Sequence, residues 1–304
     1  MKKIFILPFA SLLLSGCSLL VNLKPNFNQN TKTPEGNNTG NNINNDDHGL
    51  IISYDDYGAF LGRSENNTQG FENYNYLSFE FDEFSDENIQ KLNNKNIRTF
   101  AYLNVGSLEE YRPYYNDFKD ITIGEYENWE DESWIDVTNS RWQSFIVNTI
   151  AKGFKNRGAF GVYMDNVDVY TVAKESKLNY SSYASGLKNI IKCVADLGLK
   201  VMINGGSEFL DDMNDKNDNI FDSIWGYHQE EVFSLIEDYD KNIFGKQDPE
   251  DSAYYKEIIN LMINKNKNVF MLEYTKDENL KQQIKRYCEE IHAHFYIADS
   301  IELD

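Results

Sequence analysis

From residue 50 to the C-terminus, short apolar runs alternate with stretches whose apolar positions recur at helical spacing. The runs lie at 50–54, 76–81, 97–105, 161–164, 199–204, 220–227, 269–274 and 295–298. Each is strand-length and mostly apolar at consecutive positions, the pattern of strands covered on both faces, as in a parallel sheet. Between them, Ser85 with Asn88 opens a short helix over 86–94. Trp142, Phe145, Ile146, Thr149, Ile150 and Phe154 form one face of a helix over 141–156. Further helices are expected over 183–197, stopped by Gly198, and over 251–264 and 280–292. Residues 107–140, rich in Tyr, Trp and acids, fit neither period and read as an irregular insertion. Alternation of this kind predicts an α/β fold, a single (β/α)8 TIM barrel over 50–304. An open doubly wound sheet is the competing architecture, but no Gly-rich phosphate loop follows the first strand.

The N-terminus has a different character. Lys2 and Lys3 precede an apolar run over 4–14, too short to span a bilayer and laid out as a secretory signal. Leu14-Ser15-Gly16-Cys17 resembles the bacterial lipobox, which predicts a lipoprotein signal peptide over 1–16 and a lipidated Cys17. More than one acyl chain on that residue suffices for stable anchoring. The Asn-rich segment that follows has few apolar residues and reads, over 17–49, as a disordered tether. The protein is therefore expected outside the cytoplasm, held in the cell envelope by a lipid on a bacterial membrane. Of the remaining cysteines, Cys193 and Cys288 fall in predicted helices without metal-type spacing, and two buried free thiols are expected. The formal charge of −20 would become −22 on loss of Lys2 and Lys3. That balance excludes nucleic acid as a partner and suits a neutral or cationic one. A monomer is expected.

Chemistry enters at the strand ends. Phe160-Gly161-Val162-Tyr163-Met164 runs straight into Asp165-Asn166-Val167-Asp168, although strands disfavour Asp and Asn. Other predicted strands also stop at polar residues. Asp55 and Asp56 follow the first, Glu80 and Asp82 stand at the second, and Asn104 ends the third. Asn204 ends the fifth, Glu230 and Glu231 lie just beyond the sixth, Glu273 and Tyr274 end the seventh, and Asp299 follows the eighth. Single acids there are ordinary helix caps. A ring of them at the C-terminal mouth of a barrel, where such folds carry their sites, is more than caps require. Paired carboxylates are what glycosidic cleavage needs, one protonating the leaving oxygen and the other attacking or activating water. Tyr57, Tyr102, Tyr111, Trp129, Trp134, Tyr163, Tyr170, Trp225 and Tyr227 are candidate sugar-stacking rings, while Trp142 reads as core. Asp165, Asp168 and Glu230 offer oxygens that a hard cation could use, and His292-Ala293-His294 could chelate weakly but reads better as a helix-end pair; neither a metal nor a cofactor is expected. The histidines are too scattered for a metal site, and no Gly-x-Ser-x-Gly elbow is present.

Six blocks carry a resemblance: Tyr102-Leu103-Asn104-Val105-Gly106 with Glu109 and Tyr111-Arg112; Trp134-Ile135-Asp136-Val137; Gly161 to Asp168; Met202-Ile203-Asn204-Gly205-Gly206; Glu230-Glu231-Val232-Phe233; and Glu273-Tyr274. In this order the chain resembles glycoside hydrolase family 114, the endo-α-1,4-polygalactosaminidase-like TIM barrels, over essentially 50–304. The resemblance implies an endo-acting enzyme on galactosamine-containing polysaccharide, with catalytic carboxylates at Asp165 and Glu230. Glu231 is the alternative to Glu230, because the approach Gly226-Tyr227-His228-Gln229 leaves the register open by one residue. Asp55, Glu80, Tyr102, Asn104, Asn166, Asp168, Asn204, Glu231, Glu273 and Tyr274 are the candidate substrate-binding residues. A non-catalytic carbohydrate-binding lipoprotein on the same barrel is the alternative function.

The lipobox reading makes a prediction of its own. Cys17→Ser should move the full chain, expressed in bacteria, from the membrane fraction to the soluble fraction. Membrane retention of that variant on fractionation would refute lipidation at Cys17.

Overall fold

The structure, a computed structural model, describes residues 54–126 and 131–304. The predicted signal, Cys17, the tether and Trp129 lie outside the described residues. Eight strands run in parallel: β1 (Tyr57–Phe60), β2 (Tyr76–Phe79), β3 (Arg98–Asn104), β4 (Gly161–Asp165), β5 (Lys200–Asn204), β6 (Gly226–Glu230), β7 (Asn268–Tyr274) and β8 (His294–Ala298). Each pairs with the next in chain order, as right-handed βα crossovers require. At the seam, the Phe295 amide donates to the Tyr54 carbonyl at 2.9 Å, bringing β8 back to the segment that enters β1. The architecture is the expected (β/α)8 TIM barrel.

Because successive strand residues face opposite sides, the chain builds two cores. Inward residues Tyr57, Tyr76, Phe100, Tyr163, Met202, Phe270, Leu272 and Tyr274 fill the barrel. Their outward neighbours Leu77, Ala101, Leu103, Val162, Met164, Val201, Ile203, Val269 and Met271 pack under the helices. The helices behave as their sequences dictate. Asp86–Asn94 begins after Ser85. Asn139 caps the next helix by accepting from the Arg141 amide at 2.9 Å, and that helix passes through a π turn at Ile146–Ala151. Trp142 on it is fully buried and donates Nε1–H to the Val105 carbonyl at 2.9 Å, confirming it as core. Gly198, at φ +88°, ends Tyr180–Asp196.

Three expectations are corrected. Among the described residues the first strand is Tyr57–Phe60; of the expected strand over 50–54 only Tyr54 is described, in a bend, and 50–53 lie outside the described residues. Asp55 therefore precedes β1, exposed at the N-terminal end of the barrel, opposite the mouth where Asp165 stands. The sixth strand is Gly226–Glu230, whereas the apolar run before it forms a buried 3-10 turn, Asn219–Ser223. The inward positions of β6 are Gly226, His228 and Glu230, so the strand carries no apolar alternation. Glu230 is thus the last strand residue. The insertion carries regular structure over its described residues: Ser107–Glu109, Thr122–Glu125 and Glu132–Ile135 form a three-stranded antiparallel sheet with Glu132–Ile135 in the centre. Tyr126 stacks on Trp134 there, with ring centroids 4.2 Å apart.

Gly106 joins this insertion to β3 directly against the loop after Asp165. A Cβ at Gly106 would lie 1.8 Å from the Asn166 carbonyl oxygen. Gly106→Ala should therefore cost about 1–3 kcal/mol, the range for overpacking a tight site. A urea midpoint indistinguishable from that of the parent chain would refute this packing.

Candidate active site

The inward positions nearest the strand ends bring Tyr102 and Asn104 (β3), Asp165 (β4), Asn204 (β5), Glu230 (β6) and Tyr274 (β7) to one mouth of the barrel. Asp165 and Glu230 are joined through one amide. The Asn204 side-chain nitrogen donates to Asp165 Oδ1 at 2.9 Å and to Glu230 Oε1 at 2.9 Å. Those two oxygens cannot be farther apart than twice that distance. Tyr102 OH donates to Asp165 Oδ2 at 2.9 Å, and the Asn166 amide donates to Oδ1 at 2.9 Å. Tyr163 OH donates to Glu230 Oε1 at 3.0 Å, and Tyr274 OH to Oε2 at 2.9 Å. Burial raises the pKa of both carboxyls, opposed by these donors, and the neighbouring Asp165 raises Glu230 further.

The chain turns sharply after each carboxylate. Asn166 has φ 62° and Glu231 φ 56°, both left-handed. Asn tolerates that region, but for a long side chain such as Glu it is uncommon and marks a held conformation. Three contacts hold Glu231: its amide donates to the Leu272 carbonyl at 3.0 Å, its carbonyl accepts from Gln247 at 2.9 Å, and its carboxylate accepts from the Ile236 amide. Glu231 is thereby turned to the hairpin of Ser234–Asp238 and Ile243–Lys246, while Glu230 faces Asp165.

Several expected substrate contacts have other work. Glu273 is fully buried and points outward from the barrel, where its carboxylate accepts from the Val232, Phe233 and Ser234 amides and the Ser234 hydroxyl. It fixes the turn after Glu230 and does not reach the mouth. Tyr274, one residue on, faces the mouth. Asp168 lends both oxygens to the Gly206 amide at 3.0 and 3.1 Å, tying the loop after β4 to that after β5. Asn104 and Asn166 are buried and satisfy each other and Ser107, and Asn166 also accepts from Tyr126 OH at 3.2 Å. Both brace the insertion against β4. Glu80 accepts from Arg112 at 2.7 Å, and Arg112 is also bound by Glu109. Among the stacking candidates, Tyr57, Tyr163, Tyr170 and Tyr227 are fully buried. Trp225 packs against Phe100, Phe160 and Phe270 at the N-terminal end of the barrel. Tyr111 is 56% exposed, with its hydroxyl donating to Glu109 at 2.7 Å.

The structure adds residues that were not singled out as carriers of the site. Glu132, from the insertion, accepts from Ser107 Oγ at 2.6 Å, and burial followed by the charge of Glu109 pushes it up to about 8. His228 lies beneath Asn204 and Glu230 and is fully buried. Only strand parity counted back from Glu230 could have pointed to it. Among the described residues, no three His, Cys, Asp or Glu side chains are grouped to hold a metal, and Cys288 is a buried free thiol while Cys193 is a half-buried one.

The family model described as glycoside-hydrolase family GH114 matches residues 57–300 of the chain. The glycoside hydrolase domain of PelA from Pseudomonas aeruginosa superposes with a TM-score of 0.68 at 13% identity, covering 82% of this chain and 96% of that domain. Ega3 of Aspergillus fumigatus, solved in complex with galactosamine, superposes with a TM-score of 0.64 at 14% identity, covering 84% of this chain and 94% of that one. An uncharacterized protein of Thermotoga maritima is 26% identical over 146 residues, 43% of this chain, so the chain spans 44% of the length of that curated relative.

The buried acids set the pH dependence of stability. Glu132 and Glu231 are both raised from 4.5 to about 8 in the fold, chiefly by burial. Between those values the folded chain binds more protons than the unfolded chain, so stability falls as pH rises. The melting temperature should therefore drop from about pH 5 to beyond pH 8, and Glu231→Gln should flatten part of that slope. A melting temperature that rises across this interval would contradict the assignment.

Proposed function

The chain belongs to glycoside-hydrolase family GH114, and from that membership we propose that it hydrolyses galactosamine-containing polysaccharide in an endo fashion, tethered to the cell envelope through Cys17. The single observation that carries the catalytic reading is the shared Asn204 amide. Two carboxylate oxygens that each lie 2.9 Å from one nitrogen are no farther apart than twice that distance, which suits the about 5–5.5 Å of retaining glycosidases and falls short of the about 6.5–9.5 Å that an inverting enzyme needs for its water.

Asp165 then acts as nucleophile and Glu230 as acid and base. Asp165 Oδ1 serves two donors and Oδ2 one, so Oδ2 keeps a lone pair for C1 of the sugar. As that bond forms, the glycosidic C–O bond breaks and Glu230 gives its proton to the leaving oxygen. Glu230 next takes a proton from water, whose oxygen attacks C1 and releases Asp165. The raised pKa of Glu230 suits the acid step at neutral pH, and the donors on Asp165 suit a carboxylate that must be ionised.

The substrate class rests on charge and on relatives. Ega3 is described with galactosamine bound. A polymer bearing free amines is cationic. Here Asp165 is the ionised carboxylate at the mouth, while Arg112 is committed to Glu109 and Glu80. The net charge of −20 would draw such a polymer in, less strongly as salt rises.

Turnover of partly de-N-acetylated galactosamine polymer by the full chain is the test. Asp165→Asn and Glu230→Gln should each lower kcat about 10³-fold. Glu231→Gln should stay within about tenfold of the parent, and the first product should keep its anomeric configuration. Binding without turnover in the parent chain would favour the carbohydrate-binding alternative. Full activity of either variant, or an inverted product, would overturn the assigned roles.

A further inference from the structure

Asn204 can serve both carboxylates only if its nitrogen faces the mouth and its oxygen faces down. Both of its upper partners are acceptors, so the amide nitrogen must be on that side. Beneath it, Asn204 Oδ1 lies 2.7 Å from His228 Nδ1. A contact that short between a carbonyl oxygen and a ring nitrogen needs a proton between them, and only the imidazole can supply it. The other ring nitrogen, Nε2, is buried with no hydrogen-bond partner among the described residues. A proton there would be a buried donor without an acceptor, whereas a bare lone pair is the cheaper orphan.

The surroundings leave the ring no other choice. Tyr57 and Tyr163 flank it edge-on, with centroids 5.5 and 4.9 Å away, and Phe270 pairs with it across β7. The titratable groups facing the ring are Tyr57 from β1, Tyr163 from β4 and Glu230 above it on its own strand. Tyr57 OH is engaged with Ser78 Oγ at 3.0 Å. Burial pushes His228 down to about 3, so it stays neutral wherever the enzyme works. With Nδ1 protonated, Tyr163 OH, 3.2 Å away, cannot donate to it and must send its own proton to Glu230 Oε1. That oxygen then accepts from Asn204 and Tyr163 together, while among the described residues Oε2 accepts from Tyr274 alone.

We infer that His228 is a positioning residue: its Nδ1–H fixes the Asn204 amide toward both carboxylates and confines the labile proton of Glu230 to Oε2. The inference rests on the reading of Asp165 and Glu230 as the reacting pair, but its first test does not. Nitrogen-15 NMR of the full chain labelled at histidine, with the His228 signals identified by their loss in His228→Asn, should show Nδ1 protonated and Nε2 bare near neutral pH. The opposite tautomer, or a protonated Nε2, overturns the inference whether or not the chain cuts any polymer.

The second test uses turnover. His228→Phe keeps an aromatic ring, somewhat larger than imidazole, and removes the donor. It should lower kcat about 10–100-fold, the loss seen when a group that orients a functional ligand is removed, with KM little changed. Both limbs of its pH–rate profile should move to higher pH, because both carboxyls lose a donor that favours their charged forms. His228→Asn, whose amide can reach Asn204, should restore most of kcat and return both limbs. A residue that only filled the barrel would change folded yield and leave the limbs in place, so a folded His228→Phe chain with parent limbs and kcat overturns the proposal. If the parent chain has no hydrolase activity, the functional reading falls, and the tautomer measurement still decides the role of His228.

Discussion

A barrel strand sends successive side chains to opposite sides, and the rest of this structure depends on that alternation. The lumen is narrow enough to be filled by side chains. Each inward position is therefore assigned either to packing or, at the mouth, to chemistry. On β6 the inward series is Gly226, His228, Glu230; on β4 it is Gly161, Tyr163, Asp165; on β7 it is Phe270, Leu272, Tyr274. Glu273 and Glu231, one step out of phase, cannot face the same cavity. Their carboxylates are taken by backbone amides instead, and in that way they hold the loops that carry the site.

The second constraint is the cost of burying charge. Asp165 and Glu230 sit together in a desolvated mouth, where two bare carboxylates would repel and be poorly solvated. Tyrosine hydroxyls and one asparagine amide replace the lost water. Each such donor needs its own support: Asn204 rests on His228, Asn166 on Asn104 and Ser107, and the turn after Glu230 on Glu273. A polar network of this kind stabilises only when every member is satisfied. That requirement accounts for how few mouth residues are free to meet a substrate directly.

The antiparallel insertion between β3 and β4 extends the same logic outward. It places Glu132, Tyr126 and Trp134 beside the mouth and joins the barrel through Gly106, where no side chain fits. Arg112, held between Glu109 and Glu80, fixes the insertion to the end of β2 and keeps its positive charge from neutralising the acidic mouth.

Much of this could be read from residue order. The alternating apolar runs determined the barrel, and the break from Met164 to Asp165 marked the end of β4 as a candidate site, because buried strands disfavour carboxylates. The Asp165 and Glu230 positions came from motif order and resemblance. Tertiary structure decided the rest. A strand with a polar lumen face, such as β6, carries no apolar period, so neither its start nor the place of His228 is legible in residue order. The position of Asp55 at the far end of the barrel followed from where β1 begins, which depends on pairing with β2 and not on local pattern. The separate duties of Glu230 and Glu231, adjacent acids with the same intrinsic chemistry, were set by which side of the strand each side chain leaves and by the donors that only the folded chain brings to it.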